Sequence, residues 1–87
     1  MKHATASALD QLEPLLQRLR AIPILTERKR GVFYRKSAAF LHFHEDPTGL
    51  YADMRGEGGD FVRFKVDGLD AQMALAAKAA EIAPGVR

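Results

Sequence analysis

Two histidines one residue apart, followed by two acids, are the residues of this sequence that could most directly do chemistry. His42 and His44 lie in the stretch FLHFHED. Successive side chains of a β-strand point to opposite faces, so on a strand both imidazoles would face the same way. Such a pair can chelate a metal ion or, beside a carboxylate, act in acid–base catalysis. The chemistry therefore depends on which other side chains share this face.

A metal site is the less favoured interpretation of the histidine pair. HFHED resembles the start of the His-x-His-x-Asp-His motif of metallo-β-lactamases, but Pro47 stands where that family has its next histidine. The chain is also far too short for the αββα fold of that family. His3 lies in residues 1–6, which we expect to be disordered, so a third ligand would have to be Asp53. We therefore predict no metal and no cofactor, and keep the histidine pair as a secondary candidate.

Composition narrows the chemistry further. The 87 residues contain no cysteine, which excludes disulfides, thiolate metal sites and cysteine nucleophiles. A chain of this length is expected to form one small domain, residues 1–87, around a single core. No apolar run approaches the roughly 18 residues that a membrane span needs, and no signal-like segment opens the chain. We expect a cytoplasmic protein of bacterial type with no membrane partner.

Positive charge is concentrated in one segment. The chain has 13 Lys and Arg against 11 Asp and Glu, a net charge of +2. Residues 18–36 contain seven bases and one acid, Glu27, which gives +6 there and leaves −4 for the remainder. Such an asymmetry can attract phosphate groups, although a solvated turn and a helix end would show the same pattern. The turn ERKRG, with Arg28, Lys29 and Arg30, is the candidate phosphate-binding element.

A helix is predicted at the amino-terminal end. Leucines at three- and four-residue steps give residues 7–22 one apolar face. Ser7 or Asp10 would cap this helix, and Pro23 would end it. Pro14 removes a backbone donor, so the helix should either kink there or begin late.

The centre of the chain, residues 32–66, has strand composition interrupted by the turn signals KS, DPTG and EGG. We predict four strands joined as a meander, in the register that keeps apolar residues on one face. That register gives the pairs Val32 with Leu41, Tyr34 with Ala39, Leu41 with Met54, Phe43 with Ala52, Met54 with Val62 and Ala52 with Phe64. A shift of one residue would turn every side chain to the other face, so agreement across three turns supports this register.

A second helix is predicted after the last strand. The alanine-rich residues 67–83 favour a helix that begins at an Asp67 cap and ends before Pro84. Both helices need an apolar surface to cover. The predicted fold class is therefore α+β, a four-stranded antiparallel meander sheet with an N-terminal and a C-terminal helix packed on one face (α-ββββ-α).

The opposite face of the predicted sheet is polar and aromatic. It carries Phe33, Arg35, Phe40, His42, His44, Tyr51, Asp53, Arg55, Phe61, Arg63 and Lys65. In one cross-strand row Asp53 lies between His42 and Arg63, and its carboxylate should raise the pKa of His42. Three interpretations stay open: a solvated surface, an interaction surface, and a hydrolase-like catalytic or metal site built on His42, His44 and Asp53. In the last, His42 would be the general acid or base, oriented by Asp53, and Arg63 would hold an anionic substrate.

The pieces AIPILTE and SAAFLHF, within residues 16–55, resemble the central part of MmcQ/YjbR-like proteins. In that family a helix and a proline-containing turn lead into short hairpins around a strand with phenylalanine. The resemblance implies a small bacterial protein and favours nucleic-acid binding. It implies no catalytic residues.

We therefore predict a non-enzymatic binding domain with the basic turn and the polar sheet face as its contact surfaces. Nucleic acid is the leading partner, because cations can hold phosphates while aromatic side chains stack on bases. The alternative is a homodimer formed through the sheet face, and for that alternative Phe40→Glu is expected to yield monomers.

Overall fold

The structure is a computed structural model that describes residues 1–86. Strands form in the centre of the chain and helices form in its leucine-rich and alanine-rich parts, as the sequence predicts. The elements are β1 (Lys2–His3), α1 (Ala6–Gln11), α2 (Glu13–Arg20), β2 (Leu25–Lys29), β3 (Val32–Arg35), β4 (Ala38–Asp46), β5 (Gly49–Arg55), β6 (Phe61–Lys65), α3 (Leu69–Ile82) and a 3₁₀ turn (Ala83–Gly85). The predicted α+β class is confirmed. Within the described residues, no helix has the length and apolar character required to cross a membrane.

The first helix is divided in two. α1 follows Thr5, whose Oγ1 accepts a hydrogen bond from Ala8 N at 3.3 Å, so neither Ser7 nor Asp10 is the cap that we predicted. α2 has Pro14 in its first turn. Backbone N–H groups at this position have no acceptor within the helix, so the N–H that proline lacks costs no helical hydrogen bond. Pro14 therefore starts a second helix rather than bending one long helix.

The sheet has more strands than the four predicted, and all its pairs are antiparallel. Five strands follow the order β2-β3-β4-β5-β6, and β1 pairs with β4 beside that path. β2 includes residues 27–29, which we predicted as part of the turn ERKRG. β1 forms from residues 1–6, which we expected to be disordered: His3 pairs with His44, and Thr5 N donates to Glu45 Oε1 at 2.6 Å. In the structure, this terminal segment is therefore paired with β4.

The register between β4, β5 and β6 is the predicted one. The confirmed pairs are Leu41 with Met54, Phe43 with Ala52, Met54 with Val62 and Ala52 with Phe64. The same register places Asp53 opposite both His42 and Arg63. The predicted polar row across three strands is thus present.

The pairing of β3 with β4 contains a bulge that we did not predict. Tyr34 keeps its predicted partner, but the next pair joins Phe33, rather than Val32, to Leu41, and Phe40 is the extra residue. A bulge interrupts the alternation of side chains, and here Phe33 and Phe40 are at most 1% exposed. Burying each ring contributes about 1.5–3 kcal/mol, which offsets the interrupted ladder. Phe40 is therefore a core residue and not the surface contact that we predicted.

One hydrophobic cluster fills the domain. The buried side chains of α2 and α3 belong to the same cluster as Leu41, Phe43 and Met54 of the sheet. Val62, which we predicted for the core, is 50% exposed on the edge strand β6. The placement of both helices on one face of the sheet stays a prediction.

α3 begins without the predicted Asp67 cap. Its N-cap is Gly68, with φ 91°, and no side chain caps the helix. The two carboxylate oxygens of Asp67 instead accept a hydrogen bond from Leu50 N at 3.1 and 3.2 Å. The buried Gln72 donates to Val66 O at 3.1 Å. Asp67 thus attaches the segment between β6 and α3 to β5, and Gln72 attaches the same segment to α3.

Candidate functional site

In the basic segment, residues 18–36, two arginines are paired with acids. Arg30 donates from Nη1 to Asp10 Oδ1 at 2.8 Å and from Nη2 to Glu13 Oε1 at 2.9 Å. Arg20 donates to Glu13 Oε2 at 2.7 Å and to Glu27 Oε1 at 2.5 Å. Asp10 and Glu13, which lie earlier in the chain, therefore partly compensate the excess charge of residues 18–36.

Glu13 is the centre of this ion-pair network. Hydrogen bonds, first from Arg30 and then from Arg20, lower the pKa of Glu13 from its ordinary 4.5 to about 2. The turn is also held close to α1 at Gly31, which has φ 81°. A Cβ added there would lie 2.7 Å from Leu9 Cδ2. The hairpin of β2 and β3 is thus fixed against the first two helices.

Arg28 and Lys29 keep an uncompensated charge. Within residues 1–86, no ion pair with N···O of 4.0 Å or less involves either side chain. The Arg28 guanidinium carbon lies 4.1 Å from the centre of the Tyr34 ring, and Nη2 donates to Lys36 O at 3.2 Å. A ring and a carbonyl hold the guanidinium in one orientation without neutralising it. Arg28 is therefore a positioned cation.

A cleft of about 500 Å³ opens beside these cations. It lies on the edge of β4 where one partner strand gives way to another, since β3 pairs as far as Leu41 and β1 pairs from His44. The apolar lining includes Leu9, Val32 and Phe43. The polar lining consists of His3, Arg28, Lys29, Arg30, Tyr34 and His42. The basic turn and the sheet face, which we predicted as separate surfaces, thus share one cleft.

On the sheet face, Asp53 is paired with Arg63. Arg63 donates from Nε to Oδ1 at 2.7 Å and from Nη2 to Oδ2 at 2.8 Å. These hydrogen bonds are the largest cause of the lowered pKa of Asp53. The Asp53 side chain is 13% exposed, so the arginine compensates a carboxylate that is largely withdrawn from water.

Three imidazoles converge beside Asp53. His44 Nε2 lies 3.0 Å from His42 Nδ1 and 3.3 Å from Asp53 Oδ2. The His3 ring stacks on His44 with the ring centres 4.9 Å apart. At least one imidazole nitrogen of the cluster, the buried His44 Nδ1, lacks a hydrogen-bond partner among the described residues.

The pKa of His42 is lowered, whereas we predicted that Asp53 would raise it. Burial is the largest cause, followed by the neighbouring His44, and together they outweigh the opposite effect of Asp53. The Asp53 carboxylate reaches Arg63 and His44 instead of orienting His42 as a catalytic partner. A neutral imidazole keeps a lone pair for a hydrogen bond or for a metal ion.

Two predicted contact residues have structural partners. Arg35 donates to two carbonyl oxygens of the C-terminal 3₁₀ turn, at 2.8 and 3.1 Å. Arg55 donates to Ala39 O at 2.7 Å and to Gly59 O at 2.6 Å, which joins β4 to the turn before β6. The Arg55 guanidinium also lies 4.4 Å from the centre of the Phe61 ring, and Phe61 is 40% exposed. Both arginines therefore brace the domain, and Phe61 stays accessible.

The remaining predicted contact residues lie at the other end of the sheet face. Tyr51 Oη is 2.7 Å from Thr48 Oγ1, and Lys65 Nζ donates to Thr48 O at 2.8 Å. The Lys65 side chain is 55% exposed and that of Arg63 is 49% exposed. These residues form an accessible polar border outside the cleft.

Sequence reasoning missed Tyr34 and His3 as residues of the cleft. Regular alternation without the bulge puts Tyr34 on the core face, so the pattern pointed away from the cleft. A strand of two residues, Lys2–His3, is too short to show a period, so nothing contradicted the prediction of a disordered terminus. Neither position has a local sequence signal that would have corrected the prediction.

Comparisons with protein-family models, curated proteins and solved structures find no match to this chain. The resemblance of residues 16–55 to MmcQ/YjbR-like proteins therefore stays a prediction from the sequence.

Proposed function

We propose that this protein is a non-enzymatic nucleic-acid-binding domain that holds a single strand at the cleft between β1 and the hairpin of β2 and β3. The observation that carries the proposal is the convergence of Arg28 and Lys29 with Tyr34 and His42 around one cleft of about 500 Å³. Two cations without acidic partners among the described residues would contact phosphates. The aromatic and imidazole rings supply planar surfaces for a base.

Charge geometry favours phosphate as the group recognised by Arg28. A guanidinium presents several N–H donors in a plane and forms paired hydrogen bonds with phosphate oxygens. Arg28 is already oriented over Tyr34, so binding costs less side-chain entropy than it would for a mobile arginine. Lys29 adds a second, more flexible charge beside it. The cleft therefore suits an anion with an apolar or aromatic part next to it.

The size of the cleft favours a single strand over a duplex. Its volume lies in the range of about 300–1,000 Å³ that is typical of pockets for small organic ligands. One unstacked nucleotide could enter a space of this size, whereas a base in a duplex is covered by its neighbours. The partly exposed Phe61 and the accessible Arg63 and Lys65 extend the binding surface along the sheet.

The test is a fluorescence-anisotropy titration of labelled single-stranded and duplex oligonucleotides, with EDTA present to exclude effects of metal ions. We expect saturable binding of the single strand with a Kd between about 1 and 100 μM. If two phosphates are contacted, log K should fall against log salt with a slope of about −1.4. Tighter binding of the duplex than of the single strand would contradict the proposal that the cleft holds a single strand.

The matched control compares two double variants that remove the same charge. Arg28→Ala with Lys29→Ala should weaken binding at least about tenfold, because both phosphate contacts are lost. Arg18→Ala with Lys78→Ala removes two exposed cations outside the cleft, and it should change affinity by less than about twofold. Equal losses in the two variants, or no binding at low salt, would rule out the cleft as the binding site.

Self-association is the second candidate, and the exposure of β6 favours it. β6 is an edge strand, and Phe61 and Val62 on it are 40% and 50% exposed. An open edge can pair with a second copy of the chain. Arg63 and Lys65 place like charges on the same strand, and such charges oppose edge pairing. Self-association therefore ranks behind nucleic-acid binding.

Light scattering after size-exclusion chromatography tests this second candidate. If a dimer forms through β6, Val62→Glu should give monomers, because it replaces an exposed apolar side chain of the contact with a charged one that must be desolvated. Leu69→Glu is the matched control, since Leu69 is 59% exposed and lies outside β6. Phe40→Glu, the variant that the sequence alone suggests as a test of the dimer, is unsuitable because Phe40 is buried in the core.

A further inference from the structure

We propose that His42, His44 and Asp53 form a binding site for a divalent transition-metal ion of the Zn²⁺ type. The inference does not rest on nucleic-acid binding, although His42 lines the cleft as well as this site. It rests on the donor atoms that the register of β4 and β5 brings together on the sheet face. His42 Nδ1, His44 Nε2 and Asp53 Oδ2 are all groups that bind zinc in proteins.

The distances between these donor atoms fit one metal ion. All the donors lie within 4.8 Å of one another. His44 Nε2 is 3.0 Å from His42 Nδ1 and 3.3 Å from Asp53 Oδ2. Two ligands that are each about 2.0–2.1 Å from a tetrahedral zinc ion are about 3.3 Å apart. Two of the three separations thus match or come close to that value, and the third, between His42 and Asp53, is at most 4.8 Å.

The surroundings of the donors resemble those of a bound-metal site. The His44 and Asp53 side chains are 14% and 13% exposed, so both are held by packing. Arg63 hydrogen-bonds both oxygens of Asp53 and fixes the direction of the carboxylate, as partners behind a ligating carboxylate commonly do. Arg63 is itself half-exposed, so its charge is partly screened from the ion by water.

The donor set selects the class of ion. Two imidazoles and one carboxylate suit Zn²⁺ and neighbouring first-row metals, whereas Ca²⁺ and Mg²⁺ prefer sites made of oxygen ligands alone. Three protein ligands leave at least one position of a tetrahedral ion for water. His3 stacks on His44 and lies beside the site, but it is outside the group of donors within 4.8 Å.

The experiment is calorimetric titration of tag-free protein with ZnCl₂ in a buffer that does not chelate zinc. A parallel titration with Co²⁺ reports the coordination geometry through its visible absorption. We expect one ion per chain. His42→Ala and His44→Ala should each weaken binding at least about tenfold, because each removes a ligand. His3→Ala should stay within about threefold of the wild type, because it removes an imidazole outside the donor set.

A measurement on the wild-type protein avoids dependence on variants that fold poorly. Zn²⁺ should shift the nitrogen resonances of His42 and His44 in imidazole NMR spectra more than those of His3. The absence of saturable Zn²⁺ binding up to about 100-fold excess over protein would overturn the proposal. Binding that survives His44→Ala but is lost in His3→Ala would also overturn it, because the ion would then be held at the amino terminus.

Discussion

The two edges of β4 differ in regularity, and the difference shows how each kind of pairing can build a site. Along one edge, β5 pairs in unbroken register from Leu41 to Asp46. Along the other edge, β3 pairs through a bulge and β1 takes over at His44. The regular edge aligns side chains into a cross-strand polar cluster. The irregular edge leaves a gap between two strands, and that gap contributes to the cleft.

The ion pairs near the two edges of β4 differ in their exposure to water. Asp53 is 13% exposed, and its partners come from strands of the regular register. Glu13 is 35% exposed and pairs with Arg20 and Arg30, which connects α2 with the basic hairpin. Water screens the exposed network more strongly than the half-buried cluster. We therefore expect the pair of Asp53 and Arg63 to contribute more to the free energy of unfolding than the network around Glu13.

The largest expected effect comes from truncating the bulged residue. Phe40→Ala should lower the free energy of unfolding by about 3–5 kcal/mol, because it empties a ring-sized volume in the core. Phe61→Ala, which truncates a ring that we predicted on the same sheet face and that is 40% exposed, should cost less than about 1 kcal/mol. Urea denaturation of the wild type and the two variants measures both values. Similar losses for the two variants would show that the bulge does not take Phe40 into the core.

An intermediate effect is expected at the regular edge. Asp53→Asn replaces the charged acceptor of Arg63 and should cost about 1.5 kcal/mol, the usual contribution of a hydrogen bond to a charged group. The exposed Asp60, which lies in the turn before β6, provides the control, and Asp60→Asn should change stability by less than about 0.5 kcal/mol. Thermal denaturation at neutral pH compares them. An Asp53→Asn variant as stable as the wild type would mean that the pair with Arg63 gives no net stability.

The smallest effect is expected from the network at Glu13, and it should depend on pH. The pKa of Glu13 is about 2 in the folded protein against an ordinary 4.5, so the unfolded chain takes up the proton first as the pH falls. The stabilisation is complete above pH 4.5 and is lost as the pH falls toward about 2. Glu13→Gln should therefore lower Tm slightly at neutral pH.

The pH dependence of Tm separates this network from other acid effects. The Tm difference between wild type and Glu13→Gln should shrink below pH 4.5 and vanish near pH 2. Glu81→Gln, at an exposed position on α3, is the control and should show no comparable difference. A Tm difference that is constant across this range would mean that Glu13 acts through packing and not through its charge.

Much of the regular edge could be predicted from the sequence. Turn signals indicated the lengths of the hairpins, and alternation indicated the side of each residue, so the row of His42, Asp53 and Arg63 followed from the sequence pattern alone. The contacts within that row did not follow. The two carboxylate oxygens of Asp53 contact Arg63 and His44. Those contacts depend on where the Arg63 and His44 side chains lie, and the sequence pattern does not give these positions.

The irregular edge could not be predicted by the same reasoning. A bulge adds one residue at a position that alternation does not mark, and its energetic reason, the burial of Phe33 and Phe40, exists only when the core is assembled. β1 is too short for a periodic signal, and it forms because β4 offers unpaired backbone groups beyond the end of β3. Both events depend on contacts between residues distant in the chain.

Local propensity and periodicity act between neighbours in the chain, and they were enough to establish the α+β class, the helical ends and the register of β4, β5 and β6. The effective charge of the basic segment and the gathering of the histidines depend instead on how the chain folds back on itself. Arg30 is neutralised by Asp10 and Glu13, which lie 20 and 17 residues earlier in the chain. His3 meets His44 by strand pairing across the chain. Electrostatic effects depend on distance in space, and distance in sequence does not give it.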